Sequence, residues 1–351
     1  MRDETNFGDE NDNKMNICDK YKKENGNSFN YKKCPDFKRH LDDTLSTNCS
    51  IVEQNKSNKQ NLNSDKNKNN VNCNKLNEEC ISEDELKINF KNVTEYSDEI
   101  LQNLIEEEKN KNNINPNYFN YQSEITPNMR STLIDWLIDI NHIFKFKEET
   151  LYITIYIIDA YLSKKNIVKS KFQLLGVTSL FIASKLNEII LRRISDYSDI
   201  TDKTYSIQEI QNMEIEILKT LNFELLVPSP LSFYEIISQK VGISDDINKY
   251  KFGEFLMQSF LINNQSLNYT SSSIACATCY IIMKFCKMQN YRIFFENNFF
   301  NDKNDYIKEY KIKDCARKMC ETIHIIINSN LKSTINKFSD NIFYNIMKNN
   351  M

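Results

Sequence analysis

Residues Met129–Ile140, MRSTLIDWLIDI, are apolar on two sides of one helix. Met129, Leu133, Trp136 and Ile140 recur at i, i+4, i+7 and i+11, and Ile134, Leu137 and Ile138 make a second stripe. A surface helix needs only one apolar face. Two faces place this helix at the centre of a bundle, or against a core on one side and a partner on the other. Three charges interrupt similar stripes: Asp159 near Ile155 and Leu162, Lys185 between Phe181 and Ile189, and Glu214 between Ile210 and Leu218. A charge in such a place is costly unless it is paired or used at an interface.

Only five glycines and five prolines occur in 351 residues. All-β folds need many tight turns, so the chain reads as all-α. With 45 basic and 48 acidic residues the net charge is −3, which gives no pull toward nucleic acid. The ten cysteines lack framework spacing, and the first residues lack the apolar core of a secretory signal. Reduced thiols in the nucleus and cytoplasm follow. The longest apolar helical stretch, 151–162, is too short to span a membrane.

The first 85 residues hold 18 Asn and 12 Lys and few large apolar side chains. Residues 1–92 therefore read as a disordered tail. A leading helix follows near Tyr96, Ile100 and Leu104. Helices are expected at about 127–144, 148–163, 170–187, 193–200 and 206–221. Thr126-Pro127 marks the first start, as cap and first helical residue. Pro228 and Pro230 make a linker. A second series is expected at about 230–241, 248–263, 270–287, 305–311 and 313–329. The units are thus 93–225 and 226–351, two tandem five-helix folds.

No catalytic set is visible, and neither a cofactor nor a metal is called for. Glycine-rich phosphate loops are missing. His40, His142 and His324 are far apart in sequence. Cys276-x-x-Cys279 lies in a helical apolar run with no second pair at zinc spacing, and reads as core.

MRSTLIDWLIDI resembles the opening of the cyclin box, which in mitotic cyclins reads MR-x-x-L-x-DWL. EETLYITIYIIDAYL, KFQLLGVTSLFIASKLNEI and TDKTYSIQEIQNMEIEILKTLNFEL resemble later helices of the box. PSPLSFYEII and SSIACATCYII resemble the second, C-terminal cyclin fold. The likeness covers about residues 95–345 and is greatest to A/B-type cyclins, particularly B-type. It implies a non-catalytic regulatory subunit that binds and activates a cyclin-dependent protein kinase in the cell cycle. It also implies that Arg130 and Asp159 pair inside the box, and that Lys185 and Glu214 contact the kinase, satisfied only once it binds. Ile182, Leu186, Leu218 and Phe223 would supply the apolar kinase surface, extended by Tyr96 and Ile100. Met129, Thr132, Leu133, Trp136 and Gln173 would line an exposed groove that docks Arg-x-Leu segments of substrates, with Asp139 drawing the basic residue.

The chain departs from the family pattern in several places. Thr132 stands where an aliphatic residue is usual, Phe172 replaces an aliphatic residue at the groove rim, Leu186-Asn187-Glu188 stands for the family Tyr-Glu-Glu, Leu191-Arg192 replaces Pro-Pro, and the tail holds no Arg-x-x-Leu destruction box. Lys23-Glu24-Asn25 matches a short degradation signal. The alternative from another class is a cyclin-fold transcription adaptor of the TFIIB kind, which needs a basic face for DNA. A cyclin serving a transcriptional kinase stays within the same class.

Overall fold

The computed structural model describes residues 96–111, 114–288 and 309–349. The tail, its cysteines, His40 and the Lys23–Asn25 triplet lie outside these. Among the described residues the chain is helical with no strand. A leading helix α1 (Ser97–Lys111) precedes a first bundle of α2 (Pro127–Phe144), α3 (Glu148–Lys164), α4 (Phe172–Asn187), α5 (Ile194–Asp199) and α6 (Ile207–Thr220). A second bundle holds α7 (Pro230–Lys240), α8 (Ile247–Ile262), α9 (Ser271–Phe285) and α10 (Glu309–Ile327), followed by the short α11 (Ser333–Lys337) and α12 (Ile342–Asn349).

Local chemistry accounts for the boundaries. Thr126 accepts the Met129 N–H at 3.3 Å with Pro127 behind it, and α2 ends on Lys145 in the left-handed region. Ser206 and Glu209 form a reciprocal capping box that starts α6. Ser229 and Pro230 repeat the first solution at α7. Two expectations shift. Lys169–Lys171 forms a 3-10 turn, so α4 begins at Phe172. The break expected at residue 312 does not exist. Ile312 is buried and continues one stripe with Cys315, Met319, Ile323 and Ile326, and no Gly or Pro interrupts it. Residues 305–308 lie outside the described ones.

In the first bundle α3 and α4 are buried nearly all round. Helix α2 packs against α4 at Gly176. A Cβ there would lie 2.7 Å from Leu133 Cδ1, so glycine sets the closeness of the two helices. In the second bundle α8 is central, and the Tyr234 ring fills the space a Cβ on Gly253 would need.

One buried node ties the bundles together. Arg130 gives Asp159 two hydrogen bonds, Nε to Oδ1 at 2.7 Å and a terminal nitrogen to Oδ2 at 2.6 Å. Its other terminal nitrogen donates to the Leu261 carbonyl at 3.0 Å, at the end of α8, whose last carbonyls have no helical partner. Ser131 donates to the Ile262 carbonyl at 2.8 Å, and Tyr118 to Asp159 at 2.9 Å. Burial opposes the guanidinium charge; Asp159 outweighs it and raises the Arg130 pKa. Helix α1 docks on the second bundle. Glu108, itself buried, accepts from the Ser272 backbone N–H at 2.9 Å at the start of α9, and Asp98 pairs with Lys240.

Candidate partner-binding surface

Helices α4 and α6 pack side by side, and their register sets Lys185 beside Glu214. The two charges meet in an ion pair, and the Lys185 ammonium also lies 4.2 Å from the Phe181 ring centroid. The expectation that they wait unpaired for a partner is corrected by this geometry. Each satisfies the other at a half-open surface, so neither is a stranded charge.

Exposed apolar side chains adjoin the pair in sequence, Leu186 next to Lys185 and Ile215 next to Glu214. Leu186, Ile215 and Leu226 are exposed, and Phe223 is 69 % exposed. Asn222 and Phe223 both have positive φ, 51° and 62°, a rare conformation for side-chain-bearing residues that turns Phe223 outward. Beyond α4, Ile189 and Ile190 are 88 % and 84 % exposed, and Leu191 is also exposed. This loop is pinned at its base. Glu188 accepts the Lys147 N–H at 2.8 Å and the Thr150 hydroxyl, while Arg192 reaches the Phe144 carbonyl at 3.2 Å and stacks on its ring. A run of aliphatic side chains held in water on a fixed loop makes this a candidate interaction surface.

Other expected contacts fall elsewhere. Ile182 is 2 % exposed and belongs to the core under the ridge, so it cannot touch a partner directly. Leu218 is half-buried against the same core. Tyr96 and Ile100 are exposed, on the stretch leading into α1 and on α1 itself, the helix anchored on the second bundle. Sequence reading missed Ile189–Leu191, Ile215 and Leu226. The aliphatic run just past a helix end was the available signal.

The expected groove is shallower than an exposed stripe. Leu133 and Ile140 are buried, and Met129 and Trp136 are half-buried against the core. Phe172, expected at the rim, is buried too. Thr132 is exposed, but its hydroxyl donates to the Asn128 carbonyl at 3.0 Å and so serves its own helix. Gln173 and Asp139 are half-buried. Asp135, beside Trp136, accepts the Ser333 N–H at 3.1 Å at the start of α11; burial pushes its carboxyl up to about 6.

The buried thiols do not supply chemistry. Cys276 and Cys279 are in the core of α9, and burial raises both pKa values. Among the described residues no cluster of His, Cys, Asp or Glu has metal-holding geometry. His142 is exposed at the end of α2. No described helix is long and apolar enough to cross a membrane.

The described residues thus form two helical bundles joined by a buried ionic node, with an ion pair and exposed apolar side chains on one face. Two family models match the two bundles: "Cyclin, N-terminal domain" residues 99–226 and "Cyclin, C-terminal domain" residues 228–349. The chain belongs to the cyclin family. It is 38 % identical over 174 residues to a G2/mitotic-specific cyclin-B of Hydra vulgaris, covering 50 % of this chain and 48 % of that one. It is 39 % identical over 163 residues to the G2/mitotic-specific cyclin C13-1 of Daucus carota, covering 46 % and 48 %. With a cyclin-B of Spisula solidissima it shares 34 % over 228 residues, 64 % and 51 % of the two chains. The matches span about half the length of these relatives. A viral cyclin from herpesvirus saimiri has the same fold, with a TM-score of 0.56 at 17 % identity, covering 64 % of this chain and 96 % of that one.

Proposed function

We propose that this chain is the regulatory subunit of a cyclin-dependent Ser/Thr protein kinase, which it binds and activates to control cell-cycle progression, with no catalytic residues of its own. The observation that carries this is the Lys185–Glu214 pair set among exposed aliphatic side chains, on a chain of the cyclin family. Activation follows from differential affinity. The ridge binds best to the kinase conformer whose αC helix is turned inward, so that its Lys–Glu pair and metal site form. Lys185 retains donors after pairing with Glu214, and these reach backbone carbonyls of the kinase's regulatory helix. Leu186 and Phe223 supply the apolar contact around it, and Tyr96 and Ile100 extend it from the α1 side.

Substrate docking would use Met129 and Trp136 as apolar edges for the Leu of an Arg-x-Leu segment, with Asp139 attracting its Arg. Thr132 and the burial of Leu133 make this groove a weak one. The place of action would be nucleus and cytoplasm. The transcription-adaptor reading finds no support in the three relatives described above, each a G2/mitotic-specific cyclin.

The test is capture from lysate by the full chain, followed by a kinase assay on what is retained. Wild type should retain and activate a kinase, and Lys185→Ala with Glu214→Ala should lose at least about tenfold in affinity. Equal capture and equal activation by both would refute the assignment of the surface.

A further inference from the structure

Helix α2 carries four residues along one stripe that the core does not fully cover. Met129, Thr132, Trp136 and Asp139 follow at i, i+3, i+7 and i+10, with Thr132 exposed and the other three half-buried. Leu133, 6 % exposed, lies between Met129 and Trp136 and meets Gly176 of α4. Gln173, half-buried, stands one turn before Gly176. The stripe is thus one wall of a groove with an apolar floor, and α4 is the other.

At one end the groove holds an unused acceptor. Asp139 makes no hydrogen bond or ion pair with another described residue, whereas Asp135, one turn before it, is engaged with the Ser333 N–H. A half-buried carboxylate beside an aromatic ring suits a cation, best one that offers more than one N–H.

The chain itself carries a segment of matching chemistry outside the described residues. Lys38-Arg39-His40-Leu41 joins two basic side chains to a leucine, and Arg39 is the only arginine of the sequence with leucine two residues on. Residues 42–95 separate it from Tyr96, the first described residue. Fully extended, that tether reaches about 180 Å. A folded body of this size has a radius of gyration of about 18 Å, so its whole surface is within range.

We propose that Lys38–Leu41 of the chain's own N-terminal segment occupies the groove between α2 and α4, with Leu41 over Leu133 between Met129 and Trp136, and Arg39 on Asp139. This rests on the Arg-x-Leu groove proposed above and names its resident occupant. The tether offsets the shallowness of the groove. A segment that binds at about 100 μM when free is bound about nine-tenths of the time at an effective concentration of about 1 mM. Arg-x-Leu segments of other proteins must displace it, so self-docking raises the affinity they need by about tenfold.

The test uses the full chain, wild type and Arg39→Ala with Leu41→Ala, and a labelled peptide of residues 36–46 followed by fluorescence anisotropy. The peptide should bind the double variant about tenfold more tightly than wild type, whose own segment competes. Adding Asp139→Asn to the double variant should weaken the peptide a few-fold. Trp136 is the only tryptophan of the chain, so its emission reports on this groove. Acrylamide should quench it more in the double variant than in wild type, and the peptide should restore protection.

Equal peptide affinity and equal quenching in wild type and the double variant would overturn self-docking and leave the groove standing. No peptide binding by a double variant that melts like wild type would overturn the groove, and self-docking with it. An Asp139→Asn chain that binds as before would remove the assigned contact. Protection of wild-type Trp136 that disappears on dilution would overturn the tethered occupant and assign the segment to a second copy of the chain.

Discussion

Arg130 and Asp159 exchange two hydrogen bonds with no access to water, whereas Lys185 and Glu214 exchange theirs at the surface beside exposed aliphatic side chains. Both pairs join helices of the first bundle, and Asp159, Lys185 and Glu214 each interrupt an apolar stripe. Their surroundings make them opposites. Each of the three guanidinium nitrogens of Arg130 donates inside the molecule, to Asp159 or to the end of α8. Lys185 is tied on one side only. A buried pair is a joint whose loss the fold cannot repair, and a half-open pair is a surface feature that the fold scarcely needs.

The largest effect should come from breaking the buried pair. Arg130→Ala strands the Asp159 carboxylate and removes the bond to the Leu261 carbonyl, and should cost about 3–5 kcal/mol in urea unfolding. Separate transitions for the two bundles would mark Arg130 as the joint between them, and an unchanged midpoint would show that water enters and replaces it. Next comes Gly176→Ala, which touches neither pair. The added methyl meets Leu133, so α2 and α4 must part, at about 1–3 kcal/mol. Arg-x-Leu peptide affinity measured alongside would show whether the groove depends on that closeness.

Asp135 is an intermediate case, a carboxylate half-buried between α2 and α11. Burial, first of all, pushes its pKa up from the ordinary aspartate range to about 6. Its stabilising contribution is therefore present at low pH and lost as pH rises through about 6. Asp135→Asn should leave stability unchanged near pH 4 and raise it at pH 8 by roughly 1 kcal/mol, once solvent screening is allowed for. Thermal melts across that range check it, and a variant less stable at pH 8 would mean that the charged bond to Ser333 outweighs burial.

Much of the first bundle was legible because its helix ends carry local signals. Thr126-Pro127 and the Ser206–Glu209 box act within one turn, so no tertiary knowledge is needed. Asp159, Lys185 and Glu214 were legible because each breaks an apolar run, whereas Arg130 was singled out only by the family resemblance. Which face of each helix is open was not. Helix α4 is apolar nearly all round, so periodicity gives no open side, and Ile182, one turn before Lys185, reads as surface while it lies in the core. The pairing of Lys185 with Glu214 depends on the packing of helices 29 residues apart in sequence, which spacing along either helix cannot show. For the same reason buried Glu108, which serves the start of α9 from 164 residues away, looks like one more solvated glutamate in SDEILQNLIEEEKNK.

The smallest effect on stability should come from the surface pair, and here the comparison is sharpest. Lys185→Ala with Glu214→Ala should shift unfolding by less than about 1 kcal/mol, since solvent screens much of the attraction. Exchanging the charges, Lys185→Glu with Glu214→Lys, should recover that small loss. If the pair were only a brace between α4 and α6, the exchange would recover kinase binding too. A partner that reads direction must fail on the exchanged chain, because its backbone carbonyls would meet a carboxylate where they need an ammonium. Wild-type stability with lost kinase capture would thus separate a binding pair from a structural one.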